Sequence, residues 1–158
     1  MRITRHQMFL EMARVASKRS TCHRLNVGAI LVQGNHILSQ GYNGPPSGQE
    51  HCQGNDCQLS DKGACIRAVH AEQNALERAR LWSHTREDVV TMYVTHSPCL
   101  ACAKLLKHNY IDRVVYETAY RDTTPLEYLV SEGIEVSRLS PSGYLVDHKT
   151  NKIQILED

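Results

Sequence analysis

Two short segments carry the residues best suited to chemistry: His70-Ala71-Glu72 and Pro98-Cys99-Leu100-Ala101-Cys102. Zinc favours histidine nitrogen and cysteine sulfur in a tetrahedron, and catalytic zinc sites use three protein ligands and leave the fourth position to water. Cys99 and Cys102 lie three apart, so on a helix they share one face. The spacing puts Cys99 in the first turn of that helix, where free N–H groups and the helix dipole favour the thiolate form that binds metal. His70 completes the set from the start of the preceding helix. One histidine and two cysteines make an open site whose bound water ionises near neutral pH. Glu72, two residues from His70, projects differently. It need not be a ligand and is placed to carry protons. Taken singly, these segments have plainer uses: Cys-x-x-Cys also serves structural zinc and redox pairs, and a lone histidine at a helix start is usually structural. The two segments together, in this order, favour catalysis.

The elements that must position them follow from patterning. Helical spacing of Met8, Met12, Val15 and Ala16 predicts a helix over residues 5–19. The β-rich run 27–33, a Gly34-Asn35 turn and a returning run 36–42 predict a hairpin. A Gly/Pro-rich loop then runs from 43 to about 63, and such a length calls for a functional or metal-bound reason. Further on, the pattern reads helix 69–82, strand 89–95, a helix opened by Ser97 as cap and Pro98 as first residue and running to about 109, strand 113–117, helix 125–132 and strand 134–137. The tail reads as a hairpin around Thr150-Asn151. Alternating strands and helices predict an α/β layered domain with helices on both faces of a sheet.

Bulk properties narrow the function. The 158 residues are 41% hydrophobic and 22% charged with a net charge of +1, a composition ordinary for one globular domain and without the basic excess of a nucleic-acid binder. We expect a single domain over 1–158 with a peripheral tail from 140. No run of about 18 apolar residues predicts a membrane span, and the amphipathic start is not a secretory signal, so the cytoplasm is expected. In that reducing setting six cysteines point to metal or chemistry rather than disulfides.

H-x-E followed by P-C-x-x-C is the pattern of zinc deaminases. With Arg19-Ser-Thr-Cys22, Val27-Gly28-Ala29, Gly41-Tyr42-Asn43-Gly44, His70-Ala-Glu-Gln-Asn-Ala75 and Tyr93-Val-Thr-His-Ser-Pro-Cys99, the chain resembles the cytidine and deoxycytidylate deaminase superfamily. Within it, the similarity is to deoxycytidylate (dCMP) deaminases of phages and bacteria, including the competence-associated type. The resemblance spans roughly residues 5–136. It implies a three-layer α-β-α cytidine deaminase-like fold with a central mixed five-stranded sheet, and zinc-dependent hydrolysis of dCMP to dUMP and ammonia, supplying dUMP for dTMP synthesis. It also implies substrate contacts at Asn43, Ala71, Ser97, Tyr120 and Arg121, with Asn43 at the sugar 3′-hydroxyl. A turn role for Asn43 and a structural role for Tyr120 remain the plain alternatives. The phosphate has Ser47, Arg24 and Arg121 as candidate donors.

The remaining cysteines, Cys22, Cys52, Cys57 and Cys65, fit a second, structural zinc that some family members carry between the first two of these positions, with His51 and His23 as substitute ligands and four free thiols as the alternative. By resemblance the protein is a homohexamer activated by dCTP with magnesium and inhibited by dTTP. The loop carrying Gly44 and Ser47, with Arg24, offers donors to that allosteric nucleotide. Three other readings stay open: a dual dCMP/dCTP deaminase, a tRNA adenosine deaminase, and a zinc-stapled binding module without catalysis.

Overall fold

The computed structural model describes residues 1–52, 57–79 and 88–154. Helix α1 (Arg5–Ser17) opens the chain, followed by strands β1 (Gly28–Gln33) and β2 (His36–Tyr42), α2 (Ala71–Ala79), β3 (Val90–His96), α3 (Leu100–His108), β4 (Arg113–Thr118), α4 (Thr124–Ser131), β5 (Glu135–Leu139), β6 (Leu145–Asp147) and β7 (Ile153–Gln154). The strands form one mixed sheet in the order β2-β1-β3-β4-β5-β6-β7. β1 pairs antiparallel with β2 and β3, β3, β4 and β5 run parallel, and β6 and β7 return antiparallel.

Strand alternation divides the core in two. Ala29, Leu31, Met92, Val94, Val114 and Tyr116 point to one face, beneath α2, α3 and α4. Ile30, Val32, Tyr93 and Val115 point to the other, beneath α1. With a period of two, one buried strand feeds both cores, which makes three layers with helices on both faces.

Four expectations need correction. The sheet has seven strands rather than five, because residues of the tail add β6 and β7 beside β5. The tail hairpin itself is present, and Leu145 is buried in the α1-side core. On α1, Met8, Met12 and Val15 are exposed, and the buried stripe is Phe9, Leu10, Ala13 and Ala16. The small alanines allow a close approach: a methyl group on Gly28 would sit 1.9 Å from the Ala13 carbonyl oxygen. The helix over 69–82 begins only at Ala71, and positions 80–82 lie outside the described residues. Finally, α3 is capped by Cys99 instead of Ser97: the Cys99 sulfur accepts from the Cys102 N–H at 3.5 Å. The Ser97 hydroxyl is drawn away to accept the Tyr120 N–H at 2.9 Å.

Candidate active site

His70 stands just before α2, Glu72 in its first turn, and Cys99 and Cys102 at the start of α3. The two helix N-termini meet on one face of the sheet because β3 places α3 beside α2. The His70 Nδ1 atom lies 3.5 Å from Cys99 Sγ and 3.3 Å from Cys102 Sγ. Among the described residues, these three form the only group of metal-ligating atoms all within 4.8 Å of one another. Zinc bonds of about 2.0–2.3 Å at a tetrahedral angle set nitrogen–sulfur edges of about 3.6 Å. The triad fits a zinc ion in both donor type and spacing.

Electrostatics favour a charged cluster. The Cys99 thiol is held down to about 4, first by its hydrogen bond with the Cys102 thiol and then by His70, against the cost of burial. Cys102 is pushed up, by that same hydrogen bond and by burial. Cys99 is therefore the sulfur that gives up its proton more readily, and metal ligation requires both sulfurs deprotonated. Glu72 is buried at 4% exposure, and burial raises its pKa while the Cys102 thiol reaches its carboxyl. A carboxylate buried beside two sulfurs has little structural value, since such burial costs free energy unless it is fully compensated. It is the kind of perturbed group that marks a working site.

The other expected residues are distributed around this centre. Ala71 is fully buried, and its carbonyl oxygen would lie 2.0 Å from a methyl group placed on Gly41. Tyr120 is 41% exposed, and its phenol is pushed up to about 12 by burial first and then by the charges of Glu72, Cys99, Cys102 and Cys22. Its hydroxyl therefore sits in the field of the metal cluster. Arg121 is exposed.

Asn43 is buried and committed to the chain. Its Oδ1 accepts from the Ser20 hydroxyl and the Val27 N–H, and its Nδ2 donates to the Leu25 carbonyl. This carboxamide shapes the 20–26 segment, which lines a cavity of about 410 Å³. Ser20 carried no expected role, although it sits within the quoted Arg19-Ser-Thr-Cys22 run. Gly44 spends its N–H on the Val69 carbonyl at 3.2 Å, so that proton is not free for a phosphate. Ser47 is exposed in a turn closed by the Gln49 N–H to Pro46 carbonyl bond. Arg24 lines the cavity and donates to the Gly63 carbonyl.

The second cysteine set is close but not gathered. Cys22 and Cys52 are buried, while Cys57 and Cys65 are half-buried. Burial raises the Cys57 thiol, and the neighbouring Cys22, Cys52 and Cys65 sulfurs add to the shift. The Leu59–Cys65 bridge folds the insert back on itself, and the His23 ring bonds the Cys52 carbonyl at 2.7 Å. His51 is exposed.

The model of the cytidine and deoxycytidylate deaminase zinc-binding region matches residues 3–118. The ComE operon protein 2 of Bacillus subtilis (strain 168) is 32% identical over 152 residues, covering 96% of this chain and 79% of that protein. The deoxycytidylate deaminase of Mycobacterium phage D29 is 40% identical over 123 residues, covering 70% of this chain and 91% of that protein. A crystal structure of dCMP deaminase from the cyanophage S-TIM5, in complex with dCMP and dUMP, aligns with a TM-score of 0.75 and 34% identity over 87% of this chain and 98% of the other.

Proposed function

The chain belongs to the cytidine and deoxycytidylate deaminase family, and on that premise we propose that it hydrolyses dCMP to dUMP and ammonia. The observation that carries this function is the buried Glu72 carboxyl beside an open triad of His70, Cys99 and Cys102. These three residues would hold the zinc, which when bound would supply the Lewis acidity that makes water a nucleophile near neutral pH. Glu72 takes a proton from the attacking water and delivers it to the pyrimidine ring nitrogen. It then moves the second proton to the departing amino group, so ammonia leaves and the 4-oxo product remains. Ala71, between His70 and Glu72, and Ser97, two residues before Cys99, are assigned to substrate contact by their place beside the ligands. Tyr120 closes the mouth, and Arg121 and Arg24 supply positive charge for the 5′-phosphate. Asn43 serves the substrate through the segment it braces and through any contact its carboxamide makes with the sugar.

Ultraviolet-monitored deamination by zinc-loaded protein tests this directly, with dCMP, dCTP, deoxycytidine and tRNA as substrates. Conversion of dCMP alone is expected. Conversion of dCTP as well would make the enzyme dual-specific, and turnover of tRNA alone, or of nothing, would overturn the function. Regulation belongs to the same proposal: a cytoplasmic homohexamer activated by dCTP with magnesium and inhibited by dTTP. The exposed Met8, Met12 and Val15 on α1 make an apolar surface of the sort an oligomer covers. The expected kinetics are sigmoidal in dCMP and become hyperbolic with dCTP. Hyperbolic curves indifferent to both nucleotides would remove the allosteric element.

Cys22, Cys52, Cys57 and Cys65 are proposed to hold a second, structural zinc. Support comes from the Cys22, Cys52 and Cys65 thiols, all three of which add to the raised pKa of Cys57. Wild-type protein should carry two zinc ions per chain. Cys57→Ser should carry one, with a melting temperature several degrees lower, since a structural metal contributes directly to folding. A single zinc in the wild type would leave these four as free thiols.

A further inference from the structure

Strand β3 ends at His96, three residues before Cys99, and nothing in the reaction described above uses its ring. His96 is half-buried, and its ring lies 5.8 Å from the Tyr120 ring, tilted by 35°. That distance falls within the favourable range for aromatic pairs. The other side of the imidazole is tied down. Thr95 Oγ1 accepts the Gly28 N–H at 3.1 Å and meets His96 Nδ1 at 3.1 Å. A hydroxyl that accepts from Gly28 still has a proton to donate and a second lone pair to accept with, so it bonds Nδ1 in either tautomer and holds the ring plane. Burial holds the imidazole below its usual pKa, consistent with a neutral ring.

Tyr120 needs such a support. It lies between β4 and α4, outside both elements, and is 41% exposed. Its main chain is anchored by the N–H bond to Ser97 Oγ, but a backbone anchor does not choose a side-chain rotamer. No hydrogen bond from its hydroxyl is seen among the described residues. The ring contact with His96 is the side-chain contact that the phenol makes among the described residues, and the nearby Glu72 and Cys99 charges add to the raised pKa of its hydroxyl.

We propose that His96 is a positioning residue for the deamination, its ring pinned by Thr95 and backing Tyr120 so that the phenol is held at the mouth of the site. This role rests on the dCMP deaminase function. It acts through Tyr120 and touches neither substrate nor metal. The effect therefore falls on substrate capture, because a Tyr120 free to rotate must be ordered each time substrate binds. The chemical step, set by Glu72 and the metal, is left nearly intact.

The test is a double-mutant cycle on zinc-loaded enzyme, with dCMP as substrate and zinc content measured for each variant. His96→Ala is expected to raise KM by about three- to tenfold, the worth of one aromatic pair, with kcat changed less than about twofold. His96→Phe, which restores an aromatic ring, should recover most of the lost KM. In a Tyr120→Ala background, His96→Ala should add almost nothing, since its target is gone. An unchanged KM in His96→Ala would overturn the inference. So would effects that add fully to those of Tyr120→Ala, or a parallel loss of kcat and zinc, which would assign His96 to the folding of the Cys99 segment. The wild-type assay separates the two levels: a wild type that does not deaminate dCMP defeats the function, whereas an active wild type with an indifferent His96→Ala defeats only this role.

Discussion

Glu72→Gln is expected to lower kcat for dCMP by about 10³- to 10⁴-fold, near the upper end of what one acid–base group contributes, while the protein keeps its catalytic zinc. Glutamine matches glutamate in shape and still fills the pocket at the start of α2. It cannot take a proton from water and hand it to the ring nitrogen and the leaving amine. Because His70, Cys99 and Cys102 already satisfy the three-ligand pattern without it, the metal should remain. Stability should hold or rise. The wild-type carboxyl is 4% exposed with its pKa raised by burial, so the folded protein carries a poorly solvated acid. Replacing such a group by a neutral isostere relieves that cost. Metal analysis, thermal melting and steady-state rates on one preparation decide it. Loss of zinc along with activity would make Glu72 a ligand, and a modest rate loss with zinc retained would move the proton transfer elsewhere.

The catalytic cluster was legible in the sequence because its members lie in two short motifs. A histidine two residues from a glutamate, and two cysteines three apart after a proline, keep their relations however the rest of the chain folds. What was not legible depended on packing between distant segments. Two apolar stripes run along α1 at helical spacing, and packing on the sheet, with Gly28 against Ala13 and Tyr93 against Phe9, buries Phe9, Leu10, Ala13 and Ala16 and leaves Met8, Met12 and Val15 exposed. Ser97 is the better cap by residue type, yet its hydroxyl is claimed by Tyr120, more than twenty positions away, and Cys99 takes the cap. The tail hairpin was legible from its Thr150-Asn151 turn, but strands of three and two residues carry no pattern that says which edge they join, so their addition to the sheet beside β5 was not. His96 passed unremarked because its contact partner, Tyr120, is reached only through the fold, although its place just ahead of Ser97-Pro98-Cys99 pointed to the site.

Gly41→Ala is expected to damage stability and catalysis together, because only a glycine fits where the end of β2 passes α2. A methyl group on Gly41 would sit 2.0 Å from the Ala71 carbonyl oxygen and 2.6 Å from the Ala75 N–H nitrogen. Both are backbone atoms of α2, so no side chain can rotate away and the helix itself must shift. Overpacking of this kind costs about 3 kcal/mol, which for a chain of this size corresponds to a melting temperature lower by about 6–12 °C. The displaced turn is the one that bears His70 and Glu72. A shift there of the order of 1 Å can cost about a hundredfold in rate, because the proton carrier and the metal ligand lose their common geometry. Gly28→Ala supplies the control. Its methyl group would strike the Ala13 carbonyl of α1 on the opposite face of the sheet, at 1.9 Å, and so should cost comparable stability. Measured per folded molecule well below either transition, kcat should fall for Gly41→Ala and change far less for Gly28→Ala. Equal kcat values in the two variants would mean that the packing of α2 on β2 holds the fold without setting the site.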